Sequence, residues 1–187
     1  MVKIGIITGS TRDARVNLQV AEYILEKSKM IDGAQFEIVD IKDYDLPMFN
    51  ETVPPAMANK VYDKEATNHW SAKVDGLDGF IFVTPEYNKS ITPSLKNAID
   101  HLASEWSNKA AGIVAYGSTM GVAASLSLRT ILSNANVATV GPTGGFNLFT
   151  DFEEMSTFRP SDVHNPTIQA VLDTTVNWSR GLQSVRS

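Results

Sequence analysis

The sequence contains no cysteine, which excludes disulfides, thiolate metal centres and a cysteine nucleophile. Histidine is scarce, and His69, His101 and His164 stand far apart in no spacing that brackets a metal ion, so no metal site is expected. Cations are outnumbered: 16 lysines and arginines face 21 aspartates and glutamates, for a net charge of -5. A broad nucleic-acid surface needs clustered cations to neutralise phosphates, so no nucleic-acid partner is expected. A single phosphate group held by two arginines of one loop remains compatible with that charge. No apolar run reaches the length that crosses a bilayer, so no membrane partner is expected. Met1-Val2-Lys3-Ile4-Gly5 enters an apolar strand pattern directly, without the parts of a secretory signal, and a cytoplasmic location is the expectation. The G-x-G-x-x-G and G-x-x-x-x-G-K-[ST] patterns are missing too, which argues against a Rossmann dinucleotide loop and against ATP or GTP hydrolysis.

What is present is the composition of one globular domain, and residues 1–187 are read as such. The chain is 43% hydrophobic and 20% charged, and its length is ample for a single buried core. Five short apolar runs punctuate it: Lys3 to Thr8, Phe36 to Asp40, Gly79 to Thr84, Ala110 to Tyr116 and Val137 to Val140. Ile4, Ile6, Ile7 and the block Phe80, Ile81, Phe82, Val83 are nearly continuous rather than alternating, as strands buried on both faces are. Between them lie helical stripes. Val20, Ala21, Ile24 and Leu25 form the first, and the second is expected over roughly Ala58 to Val74. The third opens with Thr92 as N-cap and Pro93 in the first turn, and buries Leu95, Ala98, Ile99 and Leu102. The last starts near Asn165-Pro166 and buries Ile168, Val171, Leu172 and Thr175. Strands alternating with helices predict right-handed βαβ units in a parallel sheet of order 2-1-3-4-5, with helices on both faces. A ligand site is then expected at the carboxyl ends of strands 1 and 3.

The loop after the first strand reads Thr8-Gly9-Ser10-Thr11-Arg12-Asp13-Ala14-Arg15-Val16-Asn17. Small residues let backbone N–H groups approach an anion, the following helix adds its positive end, and two guanidinium groups suit a phosphate. The same residues also suit a solvated turn with Asn17 as N-cap and two surface arginines. After the third strand comes Thr84-Pro85-Glu86-Tyr87-Asn88-Lys89-Ser90. Tyr87 offers an aromatic face and Asn88 an amide, the combination a flat heteroaromatic ring needs, although such a stretch by itself is more often only a turn.

Taken jointly, Gly9-Ser10-Thr11-Arg12…Asn17, Pro85-Glu86-Tyr87-Asn88 and Leu95-Lys96-Asn97-Ala98-Ile99-Asp100 closely resemble the NADPH-dependent FMN reductase family, over roughly Lys3 to Leu132. Leu46-Pro47-Met48-Phe49 with Pro54-Pro55 resembles the loop that this family carries after strand 2. The resemblance implies a flavodoxin-like three-layer α/β sandwich that binds FMN and takes electrons from NADPH or NADH. It implies that Ser10, Arg12, Arg15, Val16 and Asn17 hold the FMN phosphate, that Pro85, Glu86, Tyr87 and Asn88 line the isoalloxazine ring, and that Ser118 and Thr119 of a third loop approach it. Departures from the family pattern are Arg15 where many relatives carry serine, Thr92-Pro93 in place of Pro-Gly, and Ser118-Thr119-Met120 in a loop usually richer in glycine.

Hydride transfer through a bound flavin needs stacking and alignment more than a side-chain acid or base, so no catalytic residue is nominated. The acceptor implied is a small molecule such as free flavin, a quinone or an azo compound. The rival readings are a non-enzymatic FMN electron carrier and a redox-sensing interaction module. Trp70, Trp106 and Trp178 are assigned to core or interface packing, and Lys96 with Asp100 to a surface ion pair. Met48, Phe49 and Met57 read either as an apolar patch that closes a partner subunit's pocket or as an ordinary loop on its own domain. The family resemblance implies a homodimer or homotetramer.

Overall fold

A computed structural model describes residues 1–186. In chain order the elements are β1 (Val2–Thr8), α1 (Asn17–Ser28), β2 (Ala34–Asp40), α2 (Glu65–Asp75), β3 (Gly79–Pro85), α3 (Pro93–Asp100), β4 (Ala110–Gly117), α4 (Val122–Asn134) and β5 (Ala138–Asn147). A small antiparallel pair, β6 (Phe152–Glu153) and β7 (Thr157–Phe158), precedes the closing helix α5 (Asn165–Arg186). The five long strands form one parallel sheet in the order β2-β1-β3-β4-β5, as the alternating pattern predicts.

The continuous apolar runs have a direct cause. Successive side chains on a strand point to opposite faces, so a strand covered on both sides needs apolar residues at every position. Ile7, Phe80, Phe82 and Ile113 pack against Trp70, Leu95, Trp106 and Leu128 on one side. Ile4, Ile6, Ile81, Val83 and Val114 pack against Val20, Ile24, Ile168 and Leu172 of α1 and α5 on the other. Trp70 and Trp106 are fully buried, as expected, whereas Trp178 on α5 is half exposed.

Two elements differ from expectation. The second helix begins at Glu65, because Pro54 and Pro55 open a short 3-10 turn over Pro55–Met57 and an irregular stretch follows. The fifth strand runs on to Asn147, well beyond the apolar run Val137 to Val140. The register between β4 and β5 shifts between Ala111 and Ile113, and pairing resumes from Thr143 to Asn147. A bulge on the outer strand absorbs Pro142 without ending the ladder.

Lys109, at the start of β4, is an ammonium held inside the fold. It is 3% exposed, and its Nζ donates to the carbonyls of Val74 (2.8 Å) and Asp75 (3.0 Å). These carbonyls close the carboxyl end of α2, where Val74 also accepts the Leu77 N–H at 3.2 Å. Burial pulls the Lys109 pKa down to about 8. An unfolded lysine titrates near ~10.4, so between these values the unfolded chain binds more protons than the folded one, and stability from this group rises with pH. Urea unfolding across that window should therefore show wild type gaining on Lys109→Met as pH climbs. Parallel profiles would contradict a buried ammonium here.

Candidate functional site

The loops after β1, β3 and β4 converge at the carboxyl ends of the strands. Gly9 N–H donates to the Val83 carbonyl at 2.7 Å. A Cβ on Gly9 would stand 2.9 Å from that oxygen and 3.0 Å from Thr84 Cβ, so only glycine lets the loop lie this close to β3. The Thr92 hydroxyl donates to the Gly9 carbonyl and also accepts the Leu95 N–H at 3.0 Å as the N-cap of α3. One side chain thereby ties the start of α3 to the loop after β1.

The two arginines of that loop point in different directions. Arg12 is exposed, with Nη1 3.4 Å from the Tyr87 hydroxyl. Arg15 is folded inward, where it pairs with Asp40 at the end of β2 and donates to the Ser10 carbonyl at 3.1 Å. Both side chains of this pair are 11% exposed. Asp40 also accepts the Thr8 hydroxyl at 2.8 Å and the Lys42 N–H at 3.1 Å. Arg15 is thus an internal brace of the loop. Val16 immediately precedes α1, and Asn17, its first residue, is fully buried and donates to the Val83 carbonyl at 3.0 Å.

After β3, Pro85 pairs with Tyr116 in the sheet and Glu86 N–H donates to the Tyr116 carbonyl at 2.8 Å. Tyr87 and Ser90 exchange two backbone hydrogen bonds of 2.9 and 3.0 Å around Asn88 (φ 50°) and Lys89 (φ 66°). Two successive left-handed residues make this a type I′ turn, which asparagine tolerates and lysine does not favour. The turn presents the Tyr87 ring to the loop after β1.

Glu86 is turned toward α4. Gly121, at the head of that helix, has φ 65° and no side chain to cap with. The Glu86 carboxylate caps it from outside, accepting N–H bonds from Ala123 (2.9 Å) and Ala124 (3.3 Å) and lying 3.4 Å from both Thr119 Oγ1 and Lys89 Nζ. Burial works to raise the Glu86 pKa, but the backbone N–H groups of Ala124 and Ala123 together with Lys89 hold it below the ordinary glutamate range. A depressed carboxylate pKa stabilises the fold above the unfolded value, and this is lost as pH falls through the folded one. Glu86→Gln should therefore cost about 1 kcal/mol at neutral pH. In urea titrations the gap should close in acid, and a gap that persists there would refute the capping role. In the loop after β4, Ser118 accepts from Asn147 Nδ2 at 3.2 Å through its carbonyl, and Thr119 lies beside Glu86.

A cavity of about 560 Å³ opens beside these loops. Ser10, Thr11 and Arg12 give it a polar, cationic end, and Tyr87 an aromatic edge. From the segment after β2, Ile41, Leu46 and Met48 give it apolar surface beside the charged Lys42 and Asp45, while Thr92, Ser94 and Asn97 at and in α3 add polar groups. Of the residues nominated from sequence, Ser10, Arg12 and Tyr87 line this space; Arg15, Asn17 and Glu86 are engaged in supporting the loops around it. Thr92 and Asn97 were missed as site residues, being read only as a helix cap and part of a helical motif. Met48 and Met57 are exposed, while the chain between them is fastened to its own domain through Asn97 and Glu51.

The donor set suits a flat aromatic phosphomonoester. An exposed guanidinium without a carboxylate partner among the described residues and two hydroxyl residues sit at one end, and apolar and aromatic side chains at the other.

The model of the family described as NADPH-dependent FMN reductase matches residues 2–151. The NAD(P)H-dependent FMN reductase ntnL of Nectria sp is 40% identical over 147 residues, spanning 76% of this chain and 73% of that protein. A quinone reductase of Pseudomonas putida is 29% identical over 193 residues, spanning 94% and 93% respectively. Among solved structures, the flavoenzyme FerB, an NAD(P)H:(acceptor) oxidoreductase from Paracoccus denitrificans, aligns with a TM-score of 0.74 at 20% identity over 97% of this chain and 98% of that one. That likeness concerns the fold.

Proposed function

The chain belongs to the NADPH-dependent FMN reductase family, and from that premise we infer that it is an NAD(P)H-dependent FMN oxidoreductase that passes electrons to a small acceptor. The observation that carries this reading is the juxtaposition of the exposed Arg12 with Tyr87 on one cavity. When bound, FMN supplies the chemistry of accepting a hydride from the nicotinamide and delivering electrons onward. The chain's residues bind and orient. Arg12, Ser10 and the amides of the loop after β1 hold the phosphate. Tyr87 and the turn through Asn88 flank the ring, with Pro85, Ser118 and Thr119 at its margin. Arg15, Val16, Asn17 and Glu86 support these contacts by fixing the loops that make them.

A carrier or sensor role is less favoured, since the matched relatives are named as reductases. The acceptor is a quinone, azo compound or free flavin, and the chain works as a homodimer or homotetramer in the cytoplasm. Exposed Met57, Val122 and Leu126 support self-association, which light scattering on the purified protein tests.

The deciding experiment is an anaerobic absorption titration with FMN followed by NADPH. Flavin bands that appear and then bleach support the reductase reading. Bound flavin that NADPH does not bleach would leave a carrier, and no flavin binding would end the reading.

A further inference from the structure

Asn97, which lines the cavity, and His101 and Thr67, which do not, converge on one loop. Asn97 pairs with its backbone in both senses: Nδ2 donates to the Pro47 carbonyl and Oδ1 accepts the Phe49 N–H, each at 2.8 Å. His101, fully buried one turn further along, places Nε2 2.9 Å from the same Pro47 carbonyl. A carbonyl only accepts, so Nε2 carries a proton. Nδ1 lies 3.1 Å from Thr67 Oγ1, and that hydroxyl donates to Glu51 Oε1 at 2.7 Å. Phe49 stands edge-on to the imidazole with ring centres 5.5 Å apart.

The consequence is a loop whose backbone is gripped from below while its side chains face outward. Both lone pairs of the Pro47 carbonyl are occupied from α3 and its cap, and the chain is held again four residues later through Glu51. Met48 nonetheless leaves 76% of its surface exposed, and with Leu46 it lines the cavity that Arg12 and Tyr87 also line. A fastened backbone is a prepared contact surface, because on binding only side-chain freedom, and no backbone freedom, is left to lose.

We propose that Asn97 and His101 are positioning residues, which fix the Pro47–Phe49 backbone so that Leu46 and Met48 present an apolar surface selecting a flat, uncharged acceptor. This rests on the reductase reading above. The reaction concerned is the reduction of a quinone by a hydride from NADPH and a proton from solvent, giving hydroquinone and NADP⁺. A small hydrophilic oxidant that takes single electrons has no need of that surface.

The test uses flavin-loaded protein with menadione and ferricyanide as alternative acceptors. In His101→Leu the KM for menadione should rise about tenfold with kcat little changed, as expected for loss of one positioning hydrogen bond. Ferricyanide kinetics should stay as in wild type. His101→Gln, whose amide still donates to the Pro47 carbonyl, should restore the menadione KM. Met48→Ala, at an exposed position, should raise the same KM without lowering the melting temperature. An unchanged menadione KM in Met48→Ala overturns the proposal, and this arm decides even where His101→Leu does not fold. Parallel losses with both acceptors in His101→Leu, unrescued by glutamine, also overturn it. Failure of wild type to bind FMN or to be bleached by NADPH would instead strike the reductase reading itself.

Discussion

Arg12→Ala should weaken FMN binding about thirtyfold while leaving riboflavin binding unchanged, the loss expected for charge-assisted hydrogen bonds to a phosphate. Riboflavin has the ring and ribityl chain without the phosphate, so the comparison isolates the anion. Arg12 is suited to this because it is exposed at the cavity, its side-chain partner among the described residues being the Tyr87 hydroxyl. Arg15→Ala should behave differently. Its partner Asp40 would stay buried with the Thr8 hydroxyl and Lys42 N–H but without a cation. Leaving a buried charge uncompensated costs about 3 kcal/mol of stability. The ratio of FMN to riboflavin affinity should be preserved in that variant. Flavin fluorescence titrations of the apo-protein, run beside urea unfolding, check both variants. Equal loss of the FMN preference in the two would mean that Arg15 leaves Asp40 for the phosphate.

Trp106→Ala should lower stability by about 4 kcal/mol through the transfer and cavity terms of an emptied aromatic site. For a chain of this length that is a fall in melting temperature of about 10 °C. Trp106 is fully buried at the centre of an aromatic cluster, with ring centres 5.1 Å from Phe80, 5.9 Å from Trp70 and 6.0 Å from Phe82. It joins β3 to α2, and its indole Nε1–H donates to the Ile99 carbonyl at 3.1 Å, which ties in the end of α3 as well. Trp106→Phe keeps the ring contacts and gives up that hydrogen bond, so about 1 kcal/mol is expected. Thermal and urea unfolding of both variants check the ordering. A Trp106→Ala loss no greater than that of the phenylalanine variant would mean that the neighbouring rings collapse into the space.

Sequence spacing was sufficient for the sheet. Ile4, Ile6, Ile7 and Phe80 through Val83 are apolar at every position because both faces are covered, and that demand is local enough to read directly. Thr92-Pro93 gave the start of α3 for the same reason, since a cap and a first-turn proline act on their own few residues. The apolar run Val137 to Val140 stops short of the strand's end, because Pro142 interrupts the pattern while β5, with β4 on one side only, tolerates a proline there.

By itself, then, the sequence determined the parallel α/β architecture, the loops where a phosphate and a flat ring would meet, and the family. It treated Arg12 and Arg15 as equals and read Glu86 and Asn97 as a ring contact and part of a helical motif. Only the tertiary structure separated these roles. Asp40 lies 25 residues from Arg15, and Ala123 lies 37 residues from Glu86. Pro47 lies 50 residues from Asn97. Charge and hydrogen-bonding capacity are properties of a residue and can be read one letter at a time. Which partner satisfies them is a property of distance in space, and folding alone sets that distance.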